Sequence, residues 1–452
     1  MLRLTWTQPE DLVPHGLRAA RLDGTDVDDL AREWVAAGGS LDAPASGATP
    51  APAAADLRAL GRATLARLDE RSAPEELRRA EPDDLDEILA LARPAGRTGV
   101  PDDLADRVHG AWLGRAAGCL LGKPVEKIPR EGIRAIARGT GNWPITAYFT
   151  EVGLPEDVAA RYAWNRRSRS TSLAENIDGM PEDDDLNYPL IALDLLERHG
   201  DGFGTDDVAQ SWLDNLPGGR VFTAERVAYR NLLDGYEPDV AGAVRNPFRD
   251  WIGAQIRTDV YGWTHPGDPV AAARLAWTDA RLSHGRNGVY GAMFAAAACS
   301  VAVTGAGVPG VLEAGLSVVP PGSRFAAAIA LGAELGAGPR PVEDALDVIY
   351  DRYGDLHWVH VLNNAAVLAF ALVRGDGDYA RTITTAVTGG WDTDSTGATA
   401  GSVAGALTGA SALPGRWIDP LRNRLASSVP GFDGIGFDEL AARTVTLVRE
   451  RS

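Results

Sequence analysis

Three groups of acidic side chains stand where this chain could do chemistry: Glu126, closing the run GAWLGRAAGCLLGKPVE; the consecutive acids Glu182, Asp183, Asp184 and Asp185; and Asp392-Thr393-Asp394-Ser395. The last two precede segments that read as helices, and Glu126 follows one. An acid at a helix amino terminus satisfies orphan N–H groups and the helix dipole, so one such group needs no further role. Three groups brought together differ, because their carboxylates repel and offer the hard oxygen ligands that suit Mg, Mn or Ca. No Cys/His ligand set accompanies them, which disfavours zinc. Cys119 and Cys299 lie in small-residue apolar stretches and read as buried thiols. Nothing near Cys119 in sequence lowers its pKa, so it is not expected to be a nucleophile. His109 reads as structural.

Convergence of the acids depends on the helices that carry them. Gly110, Gly114, Gly118 and Gly122 recur every fourth residue, and so do Gly397, Gly401, Gly405 and Gly409. Glycine costs a helix ~1 kcal/mol relative to alanine, so four in one helix require a compensating gain. Residues four apart share a face, and a face without side chains lets another helix approach backbone to backbone. Antiparallel packing of the two stripes would bring Glu126 to Asp392 and Asp394.

The 452 residues, 45% of them apolar, supply ample chain for a core, and few runs alternate like strands, so the chain reads as all-α. Residues 1–40 form a short ordered segment. Residues 41–55 (LDAPASGATPAPAAA) have the composition of a linker; residues 56–101 read as a helical extension and 102–452 as the main domain. With 44 basic and 62 acidic residues, the net charge of −18 repels phosphate backbones and anionic lipid, excluding nucleic-acid and membrane partners. Only two lysines occur, Lys123 and Lys127. The amino terminus lacks a basic region followed by an apolar run, and a cytoplasmic location is expected.

Four segments resemble, in order and separation, the ADP-ribosylglycohydrolase family: GAWLGRAAGCLLGKPVE, PEDDDLNYPLIALDLLERHG, AWTDARLSHGRNGVYGAMFAAAA and YARTITTAVTGGWDTDSTGATAGSVAGALTGASALPGRW. The most specific is GG-x-DTDS-x-GA followed by G-x-x-x-GA and P-x-x-W. The resemblance implies an all-α orthogonal helical bundle with a dinuclear magnesium site that hydrolyses the glycosidic bond at the distal ribose of ADP-ribose. It implies metal ligation by Glu182, Asp183, Asp184, Asp392, Asp394 and Ser395. Glu126, Asp183 and Asp394 would be catalytic, with Glu126 handling the attacking water, and His284 would border the ribose.

Two departures stand out: Cys119 where the family usually has Asp, and Glu182 where it usually has Thr or Ser. The long segment between Glu126 and Glu182 carries Trp143 and the basic residues Arg166, Arg167 and Arg169. It reads either as a solvated lid or as a wall that stacks a base and pairs with pyrophosphate. His357, His360, Asn363 and Asn364 have the spacing of one helical face and would meet a ribose or diphosphate, or be satisfied core groups. The expectation is a monomeric hydrolase with two divalent cations, magnesium or else manganese, acting on an ADP-ribosylated protein or an ADP-ribose-containing small molecule. The alternatives are hydrolysis of a small nucleoside or dinucleotide linkage, and an ADP-ribose-binding or structural relative with weakened catalysis. Cys119 favours the last; the intact acid pairs oppose it.

Overall fold

Helices built from alanine and glycine approach more closely than helices clad in leucine, and one such pair sets the geometry of this molecule. In the computed structural model, which describes residues 2–451, the helices Leu104–Gly122 and Thr393–Thr408 run antiparallel along their glycine stripes. A Cβ added at Gly110, Gly114 or Gly118 would collide with the carbonyl oxygen of Gly405, Gly401 or Gly397 in turn, and one at Gly122 with that of Thr393. One series rises as the other falls, as the four-residue spacing predicts. The Tyr379 hydroxyl donates to the Gly114 carbonyl at 3.0 Å from a third helix, Tyr379–Thr388.

Around this seam the chain is all-α, with 24 α-helices and, among the described residues, only isolated β-bridges in place of strands. Arg286–Ala302 is buried on every face, as an all-round apolar helix must be. Val361–Gly375 packs on Arg324–Ala337, where a Cβ on Gly332 would meet the Ala366 carbonyl. No described helix is long and apolar enough to cross a membrane.

The expected face of His357, His360, Asn363 and Asn364 does not form. The helix starts at Val361 because the His360 ring caps it, Nδ1 accepting from the Leu362 N–H at 3.2 Å. His357 lies outside the helix, stacked on Trp251 with ring centroids 4.2 Å apart.

Residues before 102 share the core of the bundle. Leu12, Val13, Leu17 and Trp34, from the helices Pro9–Leu22 and Asp28–Ala36, belong to the same apolar cluster as the central helices. Trp6 meets Phe248 and Trp251 edge-on, at 5.5 and 5.7 Å. Residues 41–54 form no helix, yet they are held in place. The Thr49 N–H donates to the Asp11 carboxylate at 3.1 Å, and the Ala45 carbonyl accepts from Trp358 Nε1 at 2.7 Å and His357 Nε2 at 3.0 Å.

Candidate functional site

The glycine seam ends where the acids begin. Leu104–Gly122 runs into a short 3₁₀ turn, Lys123–Val125, that delivers Glu126, while Asp392 precedes the first residue of Thr393–Thr408. Carboxylate oxygens of Glu126, Asp392 and Asp394 consequently lie within 4.8 Å of one another. Asp392 makes no side-chain cap bond to its helix; its carboxyl meets that of Asp394 instead. Asp183 does cap the helix Asp184–His199, accepting from the Asp185 N–H at 2.9 Å. Asp183, Asp185 and the Cys119 sulfur form a second group with the same 4.8 Å limit. Both acid groups, with Glu182, Asp184 and Ser395, line a cavity of about 1200 Å³.

Burial and mutual repulsion act on these acids together. Burial, then Asp394 and Glu126, pushes the Asp392 carboxyl well above the usual carboxylate range. Burial, then Glu126 and Asp183, raises Asp394 to about 7. Asp184 is raised by burial, Asp183, Asp394 and Glu225, and no hydrogen bond or ion pair satisfies it among the described residues. Asp183 goes the other way: although burial works to raise it, its ion pair with Lys123 holds it below the ordinary value. Asp185 is engaged by the fully buried Arg115, which also pairs with Asp259 at 2.7 Å and donates from Nε to the Asp185 carbonyl at 2.7 Å. Its Oδ2 accepts from the Ser395 hydroxyl at 3.2 Å, so Asp185 positions Ser395.

The remaining expected residues divide. The Glu182 carboxylate joins neither acid group: it accepts from Asn187 Nδ2 and the Ser428 N–H, each at 3.1 Å, and pairs with Arg220 at 2.8 Å. Arg166 and Arg167 line the cavity, and Arg167 and Arg226 lie over the Phe222 ring at 5.2 and 5.1 Å. Arg169 instead pairs with Glu151 at the surface, at 2.7 Å. Trp143 carries Arg138 over its ring at 5.5 Å and packs on the apolar core, outside the cavity lining. His284 is buried behind the lining, with Nδ1 on the Ser283 hydroxyl and Nε2 4.0 Å from the cavity residue Glu225. Burial and Arg257 keep its ring neutral. Asn363 is fully buried and donates to the His357 carbonyl at 3.1 Å.

Residues 100–451 match the sequence family described as ADP-ribosylglycohydrolase, more than three-quarters of the chain. The chain belongs to the ADP-ribosylglycohydrolase family. It is therefore a hydrolase that acts on glycosidic bonds. A solved structure described as an "ADP-ribosylglycohydrolase-related protein complex" is similar at 23% identity and a TM-score of 0.46, over 77% of this chain and 99% of that one. No curated protein matches this chain.

Several residues that border the acid groups carry no periodic or motif signal. Asn364, not Asn363, fixes the start of the second glycine helix, its Oδ1 accepting from the Asp392 N–H at 3.2 Å and the Thr396 hydroxyl at 3.3 Å. Asn165 Nδ2 donates to Glu126, whose other oxygen pairs with Lys127 at 3.2 Å. One signal was present: the chain's only two lysines both stand at the acid cluster, Lys123 on Asp183 and Lys127 on Glu126. A divalent cation fits this donor set, because Asp392 and Asp394 are buried, Asp184 is half-buried, and all three are oxygen donors short of positive charge. Cys119 is the exception: burial, Asp183 and Asp185 raise its pKa, so the thiol stays neutral.

Proposed function

We propose that this protein hydrolyses an N- or O-glycosidic bond to ADP-ribose, with two magnesium ions held among Asp183, Asp184, Asp392, Asp394 and Ser395. Manganese is the nearest substitute. The observation that carries this reading is the convergence of buried, under-compensated carboxylates on a cavity of about 1200 Å³ whose lining also includes Arg166 and Arg167. That volume exceeds the ~300–1,000 Å³ of ordinary small-molecule pockets and suits a dinucleotide-sized ligand.

Bound divalent cations would supply Lewis-acid stabilisation of charge at the ribose and its water. The protein's own groups divide the rest of the work. Glu126, aligned by Asn165 and Lys127, takes a proton from the attacking water. The water oxygen bonds to the anomeric carbon, the bond to the aglycone breaks, and the departing group ends with the proton. Lys123 keeps Asp183 ionised, while Asn364 holds the backbone at Asp392. Arg166 and Arg167 pair with the pyrophosphate against the −18 background of the chain.

The test is release of ADP-ribose from ADP-ribosyl-arginine, ADP-ribosyl-serine and NAD, beside simple nucleosides, with magnesium and after chelation. Magnesium-dependent release from at least one ADP-ribosyl compound is expected. Turnover of nucleosides alone, or release that persists after chelation, would contradict the proposal.

A further inference from the structure

The first 99 residues lie outside the stretch matched to the family, yet they reach the catalytic cavity twice, through Thr5 and Trp6 and through Ser46 and Gly47. Two chains of contact show where. The Ala45 carbonyl accepts from Trp358 Nε1 at 2.7 Å, Lys127 Nζ sits 5.0 Å from the centre of the Trp358 ring, and Lys127 pairs with Glu126 at 3.2 Å. Thus only Trp358 and Lys127 separate the strand of chain at 45–47 from the carboxylate assigned to the attacking water. At the other end, the Thr5 carbonyl accepts from Arg226 Nη1 at 3.2 Å, and Arg226 shares the Phe222 ring with Arg167.

Neither contact is a loose flap. Trp6 is 7% exposed and sits among Phe248, Trp251 and His15, and Thr49 is tied to Asp11. Moving this wall aside would open the apolar core that the extension shares with the bundle.

We infer that residues 5–6 and 45–47 form a wall of the active site supplied by the extension, and that this wall restricts the aglycone to a small molecule. An ADP-ribosyl group on a folded protein brings that protein's surface up to the reacting carbon. Here Lys127, Trp358 and the segment that Trp358 holds bound the cavity on the side of Glu126. A free ADP-ribosyl amino acid or a dinucleotide brings no such surface, so the substrate class is a small ADP-riboside. The inference rests on the ADP-ribosyl hydrolase reading above.

The test uses the full chain with free ADP-ribosyl-arginine and ADP-ribosyl-serine, and with globular proteins modified at the same residue types. For the linkage that is cleaved, kcat/KM for the free compound is expected to exceed that for the protein-borne one at least tenfold. Trp358→Phe keeps an aromatic ring but removes the donor to Ala45, and Ala45→Gly/Ser46→Gly removes the two side chains that the segment 45–47 carries. Each should shrink the ratio at least threefold, with melting curves reporting whether the fold survives. Equal kcat/KM for both substrate forms in the wild type, or an unchanged ratio in both folded variants, would overturn this inference and leave the hydrolase reading intact. Hydrolysis of neither form, nor of NAD, would overturn the hydrolase reading and this inference with it.

Discussion

Asp185 and Asp394 are both buried acids of one cluster, yet their partners give them different tasks. Asp185 faces the buried Arg115, so Asp185→Ala would leave a guanidinium in the interior with Asp259 as its one carboxylate. Breaking a buried pair from one side costs ~3–5 kcal/mol, and urea denaturation should show a loss of that size. Its place outside the ligand set that the resemblance implies suggests a mild effect; the mid-helix partner Arg115 reverses that for stability, and no spacing rule connects the two. At Glu126 the effect falls on rate: Glu126→Gln should lower kcat by ~10²–10⁴-fold while the melting temperature stays near that of the wild type. The double variant Arg166→Ala/Arg167→Ala should weaken ADP-ribose binding at least roughly tenfold by calorimetry, the worth of a lost charge-assisted hydrogen bond. Arg169→Ala should change it little, because that side chain is spent on an exposed pair with Glu151. Three arginines within four positions look alike in sequence; only the fold sorts two into the cavity and one to the surface.

The glycine seam converts a periodic sequence into a site. Gly401→Ala alone inserts a methyl into the Gly114 carbonyl, and an overpacking penalty of ~1–3 kcal/mol or more is expected from thermal or urea unfolding. Because the same two helices deliver Glu126 on one side and Asp392 and Asp394 on the other, magnesium affinity should fall with stability in that variant. A drop in stability with metal affinity untouched would separate the seam from the site. Gly47 lies in the segment whose composition reads as a linker, and a Cβ there meets open space, but its φ of +85° means that Gly47→Leu still carries strain of ~1–3 kcal/mol. The seam was legible because helix contact follows from a period of four alone. The face of His357 to Asn364 was not, because periodicity does not say where a helix starts, and the ring of His360 starts it four residues after His357.

At the scale of the whole molecule, residues 41–54 show what composition leaves out. An Ala/Pro/Ser/Gly stretch buries little apolar surface by itself, yet its carbonyls and amides can be held by donors and acceptors elsewhere in the fold, here Trp358, His357 and Asp11. The all-α class and the order of the acid groups are readable along the chain; the joining of extension and bundle into one core depends on contacts made at long range. The central claim is that folding gathers carboxylates which a divalent cation must compensate. Ligand at ~100-fold over its dissociation constant stabilises a folded protein by ~2.7 kcal/mol. The measurement that tests this most directly is a calorimetric titration of magnesium into the chelator-treated full chain, beside Asp394→Asn. The account predicts two ions per chain in the wild type and loss of binding in the variant. Absence of magnesium and manganese binding to the folded wild type, or the same isotherm for Asp394→Asn, would contradict it.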